Sequence, residues 1–366
     1  MPKQYKIKPV HIAAQRLHNQ QINAAQFTKI KDLVSYMCAV QSQDYAMSKW
    51  AIGLRLPGST DNQIEKALDK ADILRTHVLR PTWHIIAAQD IYWMISLSAG
   101  KIKALMKTMD RQLELTEKIF TKSNNIIAKC VEDGLHVNRD SIAACLEKAK
   151  ISTGKNRLSH LLLRAELEQI ICSGKIDGNQ RTYASLHSRV PKKKILTRDE
   201  SIAQLADKYF KSRGPATVED FSWWSGLSIT AAREGLEMVK QELHNDKIDG
   251  SVYWFANDRK PPVKKKEAIY LLPAYDEFII GYKDRTAALA IEHHKKVLSN
   301  NGIFYPTIIV NSQVAGLWKR HFQKEQIFIE TTFFQPQGEA IRGRVEKQAA
   351  VFGQFTESRV KLTETK

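Results

Sequence analysis

The chain of 366 residues lacks any apolar run approaching the ~20 residues that span a bilayer, and its first ten residues, Met1 to Val10, are basic and polar. Neither a membrane span nor a secretory leader is expected, and the protein reads as cytoplasmic. Cysteine is scarce: Cys38, Cys130, Cys145 and Cys172 are far apart, and each falls in a stretch of helical apolar periodicity. No CxxC or other metal-ligand spacing exists, so the four are expected to be buried thiols. His293-His294 has no third ligand at a recognised spacing. Also missing are a phosphate-binding P-loop, a dinucleotide glycine fingerprint, HExxH and the zinc-deaminase pattern. No metal and no organic cofactor are therefore expected.

What is present is positive charge. Fifty-six Lys and Arg against 39 Asp and Glu give a formal charge of +17. A polyanion gains affinity when such residues displace its condensed counterions, so nucleic acid heads the candidate partners. A hydrophobic content of 43% supports substantial cores, and the length suggests two to four compact units.

One string recurs, Lys175-Ile176-Asp177-Gly178 and Lys247-Ile248-Asp249-Gly250, and its contexts recur with it. Before each lies a helical apolar pattern, from Leu158 to Ile171 and from Ala231 to Leu243. After each comes an extended stretch, Arg181-Thr182-Tyr183 and Ser251 to Phe255. Shorter helices precede these, Asp140 to Lys148 and Val218 to Ser225, the latter closed by Gly226. Helix, turn, longer helix and hairpin is the order of a winged helix-turn-helix.

Helical patterns at Val10 to Leu17, Phe27 to Val40, Asp44 to Leu54 and Asp61 to Ala71 lead to two strands, Ile73 to Leu79 and Thr82 to Ala87, and suggest a third unit. The run Arg259 to Lys266 reads as a stiff charged linker. Beyond it, short strands at Ala268 to Leu272, Thr307 to Val310, Val314 to Trp318 and Ile327 to Phe334, a turn at Asn311-Ser312 and a last helix at Ala340 to Phe352 form a β-rich end. The expected fold is mainly α with β (α+β): winged-helix units at 1–105, 106–194 and 195–258, then a β-barrel-like subdomain at 259–366.

The most unusual polar cluster is Gln41-Ser42-Gln43-Asp44, which interrupts the apolar helix of Phe27, Ile30, Val34 and Met37. On a continued helix Gln41 and Gln43 would point about 200° apart, so only a break puts both on one side. Asp44 supplies a reason for one, as the cap of a helix from Tyr45 to Leu54. Two amides could then share a water. They could equally hydrogen-bond backbone at a helix junction, since glutamine neither titrates nor acts as a strong base. Arg75, His77, Arg80 and His84 lie on a basic, aromatic hairpin that suits a DNA groove, or structural hydrogen bonds as readily. Arg181, Lys192, Lys193 and Lys194 suit phosphate contact, although charge runs are commonly hydrated surface. Trp223-Trp224 and Tyr253-Trp254 offer stacking surface or core anchors.

Several strings together resemble the winged-helix DNA glycosylases typified by AlkZ. They are Val40 to Asp44 followed by Trp50 to Leu56, Arg75-Thr76-His77 with Arg80 to His84, and Leu272 to Phe278 with Lys283-Asp284-Arg285. The resemblance implies three tandem winged helices and a β-barrel-like subdomain forming a basic clamp on double-stranded DNA. It also implies monofunctional excision of N-alkylated purines, in some members with unhooking of interstrand crosslinks. The family motif is glutamine, an apolar residue, then glutamine or aspartate; it makes Gln41 and Gln43 the candidate catalytic pair, with Asp44 beside them and Ser42 where an aliphatic residue is usual. A monomer is expected, because three units in one chain can grip DNA without a partner. The rival is a non-enzymatic winged-helix DNA-binding protein, either a transcriptional regulator or a damage sensor.

Overall fold

A computed structural model describes residues 9–191, 195–256, 268–323 and 326–364. Lys192, Lys193 and Lys194 and the charged linker at 259–266 lie outside the described residues. The chain divides into two compact units, Met1–Glu65 with Ile202–Lys366, and Lys66–Ser201. Helix predominates over strand, and the fold is mixed α/β. No described helix is long and apolar enough to cross a membrane.

The Lys66–Ser201 unit begins with the antiparallel hairpin Ile73–His77 and Trp83–Ala87. The long helix Ile91–Gln112 follows, and then Glu117–Cys130, Arg139–Lys148 and Arg157–Leu167. The last three close on one core, because Phe120, Ile127, Ile142, Leu146, Leu158, Leu161 and Leu162 recur at helical spacing and are buried together. Caps start two of them: Thr116 accepts from the Ile119 amide and Asn138 from the Ser141 amide. The hairpin Ile171–Asp177 and Gln180–Ser185 ends the motif, and the two-residue strand Val137–Asn138 pairs with its second strand.

The other unit repeats this connectivity. The helices Arg198–Arg213, Val218–Ser225 and Ile229–Val239 lead to the hairpin Leu243–Ile248 and Ser251–Ala256, and Ala216 bridges Trp254 of the second strand. The repeated string lies at the hairpin turn in both copies, one residue out of step. Asp177 is still paired, with Gln180, whereas Asp249 and Gly250 form the turn itself at φ of 46° and 83°.

The C-terminal strands form an open five-stranded sheet curled into a half-barrel rather than a barrel. Asn311 and Ser312 both have positive φ, and the hairpin between Thr307–Val310 and Gln313–Gln323 closes tightly on them. Along Gln313–Gln323, Val314, Gly316 and Trp318 alternate inward, as do Ile327, Ile329 and Thr331 on Gln326–Phe333. The fifth strand, Arg359–Glu364, was not expected; it runs parallel to Gln326–Phe333. Its sequence alternates over only five residues, Arg359 to Thr363, too short a run to fix a partner that lies about thirty residues away. The helix Glu339–Phe355 lays Val345, Ala349, Phe352 and Phe355 inward, and Phe352 meets both Trp50 and Trp318 edge to face.

Not every cysteine is buried: Cys38 and Cys172 are, Cys130 is half-buried and Cys145 is exposed. The helix Arg139–Lys148 turns Ile142 and Leu146 inward instead and leaves Cys145 on its solvent side.

Gly53, in the helix Tyr45–Arg55, faces the ring of Phe355, and a Cβ there would stand 2.3 Å from ring carbon Cε2. Gly53→Ala would gain up to ~1 kcal/mol of helix propensity, but overpacking of this kind costs about 1–3 kcal/mol. The clash wins, and the urea midpoint of the variant falls below that of the wild type.

Candidate active site at the glutamine motif

The first long helical pattern does break. The helix Ile30–Met37 stops at Cys38, whose φ of 62° and ψ of −55° form a γ-turn closed by the Ala39 amide donating to the Met37 carbonyl at 2.7 Å. This positive-φ form is rare and strained in an L-residue, so the surroundings must hold it. Val40–Gln41 is then extended. Asp44 caps Tyr45–Arg55, its Oδ1 accepting from the Met47 amide at 3.0 Å.

What holds the break is a buried ion pair. Arg213 donates through Nη1 to the Met37 carbonyl and through Nη2 to the Ala39 carbonyl, each at 2.7 Å. The same guanidinium meets Glu277 Oε2 at 2.7 Å, and Trp224 Nε1 donates to that oxygen at 2.9 Å. The other oxygen, Glu277 Oε1, accepts from the Gln41 amide at 2.9 Å. Backbone groups orphaned by the end of a helix are thereby satisfied without water.

Two further buried pairs extend the network. Arg55 grips Asp276 with both Nη atoms at 2.8 Å, and Arg16 lies 3.5 Å from Asp220 and over the Tyr282 ring. Tyr282 donates to the Arg213 carbonyl and accepts from Gln20 Nε2. Burial pushes its phenol up to about 12 from an ordinary value of 10, while Arg16, Gln20 and Arg213 act in the opposite sense.

Within the motif the side chains differ in environment. Gln41 is 4% exposed, Ser42 is fully buried, and Gln43 is exposed. The hydroxyls of Ser42 and Ser48 lie 2.8 Å apart, and Ser48 donates to the Tyr45 carbonyl. A hydroxyl therefore fills the position usual for an aliphatic side chain, and its polarity is satisfied internally. The Asp44 side chain is 41% exposed and lies 3.9 Å from Arg320, whose guanidinium is held below its ordinary range by burial, opposed by the carboxylates of Asp44 and Asp61. Nearby, Lys49 bridges Asp61 and Glu65 at 2.7 and 2.8 Å.

The candidate DNA-contacting residues of the Lys66–Ser201 unit are mostly interior. Arg75 is buried with its guanidinium 4.0 Å from the Trp83 ring centre, and the His77 ring lies 3.7 Å from the same indole. His77 Nδ1 is 3.0 Å from Glu166 Oε2, which also accepts from Thr76 Oγ1. His84 is fully buried, its Nδ1 3.0 Å from the Thr82 carbonyl, and Arg80 is half-buried. The structure thus brings Arg75, His77 and Trp83 together in one stack. Arg181 is exposed on its hairpin. Of the tryptophan pair, Trp224 is core and Trp223 is 41% exposed. Among the described residues no group of three or more His, Cys, Asp or Glu is arranged to hold a metal.

Sequence reasoning missed Glu277, Arg213 and Arg320. A signal existed for the first: Asp276-Glu277 stands between the apolar runs Ile269–Leu272 and Phe278 to Ile280, and acids flanked so closely by core residues need buried partners.

Removing one member of a buried pair strands the other. Arg213→Met is expected to cost about 3–5 kcal/mol in urea unfolding. A second outcome concerns pH. The raised Tyr282 phenol contributes stability that is fully present below pH 10 and is lost as pH climbs through about 12. The urea midpoint should fall across that interval, and Tyr282→Phe should remove part of the slope.

The sequence matches the family described as DNA glycosylase AlkZ-like over residues 34–355. An interstrand DNA cross-link repair glycosylase of Streptomyces sahachiroi is 22% identical over 354 residues, which is 93% of this chain and 94% of that protein. The solved structure of Streptomyces sahachiroi DNA glycosylase AlkZ superposes with a TM-score of 0.81 at 20% identity, covering 99% of this chain and 100% of that one, and so shares its fold. By the match across residues 34–355, the chain belongs to the AlkZ-like DNA glycosylase family.

Proposed function

We propose that this DNA glycosylase hydrolyses the N-glycosidic bond of cationic N-alkylated purines in duplex DNA, with Gln41 and Gln43 positioning the attacking water. The name of the Streptomyces relative extends the same chemistry to interstrand crosslinks. The observation that carries the reading is the γ-turn at Cys38, which takes Gln41 and Gln43 out of helical geometry in a chain of this family. A purine alkylated at N3 or N7 is positively charged and departs neutral, so little acid catalysis is needed. What remains is to hold water against C1′ and to favour the positive charge that develops on the sugar.

Gln43 is exposed and suits direct contact with that water, while Gln41, nearly buried and fixed through its backbone, suits the inner side. Asp44 keeps one oxygen on its helix cap and brings a negative charge beside the motif. Tandem winged helices at 1–105, 106–194 and 195–258, with the β-rich end at 259–366, remain our reading of the domain plan. The repeated order of three helices and a hairpin, with a short strand on the second hairpin strand, supports it. Arg181 and Lys192 to Lys194 are proposed to meet phosphates, and Arg75, His77, Arg80 and His84 to shape their own hairpin.

Duplex DNA bearing N7-methylguanine, incubated with the protein and then cleaved with alkali, should yield strand breaks at the lesion. Gln43→Ala should slow excision by about 100-fold or more with DNA affinity little changed. A wild type no faster than buffer refutes the proposal, and tight binding without excision identifies a damage sensor instead.

A further inference from the structure

Tyr275 stands two residues before Glu277, the carboxylate that anchors the Gln41 amide, so its segment is docked on the glutamine motif. Its φ of 57° is a genuine outlier for a bulky residue. Such strain persists only where the surroundings impose it, and it concentrates at ligand-binding positions. Tyr275 is half-buried, and its ring leans on Phe304, with centroids 6.0 Å apart. Burial, and next the Asp44 carboxylate, hold the phenol above its ordinary value, so Asp44 lies within electrostatic reach.

The ring is also buttressed. Arg285 lies 5.2 Å over Phe304 and 5.4 Å over Trp223, with its Nε on the Ile279 carbonyl. Trp223 is itself fixed by its Nε1 on the Ile280 carbonyl. Trp223, Arg285, Phe304 and Tyr275 therefore form a row, and rigid aromatic faces of this kind stack bases.

We propose that Tyr275 is a specificity-determining residue: its ring is the face on which the alkylated purine stacks, selecting a positively charged base over a neutral one. The inference rests on the glycosylase reading above. An electron-rich ring attracts a cation as well as stacking on it, and Asp44 adds attraction of the same sign; Arg320, 3.9 Å from Asp44, opposes it. The contact acts on binding and not on the chemical step. As the glycosidic bond breaks, its electron pair goes to the purine, which becomes neutral, and the positive charge passes to the sugar. The ring thus favours the bound substrate at least as much as the transition state, so its loss raises KM and leaves kcat unchanged or slightly higher.

The test compares two duplexes bound by the full chain. One carries 2′-fluoro-N7-methylguanosine, whose sugar resists cleavage; the other carries 7-methyl-7-deazaguanine, an uncharged base of the same shape. The wild type should prefer the charged lesion by about 2- to 30-fold, the span of a cation–π contact from exposed to desolvated. Tyr275→Phe should keep that preference. Tyr275→Leu should lose most of it, with KM for N7-methylguanine excision raised and kcat within about twofold of wild type. Should the leucine variant fold poorly, Tyr275→Asn tolerates positive φ and likewise removes the ring. Retained preference in the non-aromatic variants, a wild type with no preference, or a fall in kcat matching the rise in KM overturns the proposal. A wild type that excises nothing overturns the glycosylase reading instead.

Discussion

The candidate site depends on the contact between Arg213 and Glu277. Ending a helix at Cys38 and entering an extended strand leaves main-chain carbonyls and an amide without helical partners in a dry interior. One guanidinium takes the carbonyls of Met37 and Ala39, and one carboxylate takes the amide of Gln41. Their mutual attraction neutralises both charges where water cannot. Replacing such a pair with apolar residues is often no loss of stability elsewhere. Here apolar replacements would take these partners from the Ala39 carbonyl and the Gln41 amide, and the strained turn would lose its support.

The same economy governs the positive charge of the chain. Arg16, Arg55 and Arg213 are each paired inside one unit with Asp220, Asp276 and Glu277. These arginines work on backbone and carboxylates, not on an external polyanion. Arg75 is likewise inward, against Trp83. These four arginines are turned inward, so overall charge indicates the class of partner but not the residues that meet it.

Much of the fold was legible from periodicity. The breaks, caps and hairpins fall where apolar spacing and turn residues put them: Asp44 caps its helix, Gly226 ends another, and Asn311-Ser312 turns the C-terminal hairpin. These are local decisions. The strand Arg359–Glu364 pairs with a segment some thirty residues away and was not legible, and neither was the identity of each arginine's carboxylate. The glutamine motif could be found as an oddity in an apolar helix, yet its geometry is set by residues 213 and 277, far away in sequence. Apolar pattern also cannot tell a displayed hairpin from an inward-facing one, since Arg75 and His77 alternate equally well in both.

Gln41 is fastened by its peptide N–H, which donates to Glu277 whatever the side chain. Any residue other than proline at that position would keep this one hydrogen bond, so the main-chain path does not depend on which side chain it carries. A lineage built on this frame is free to exchange the side chain at position 41 while the peptide path stays fixed.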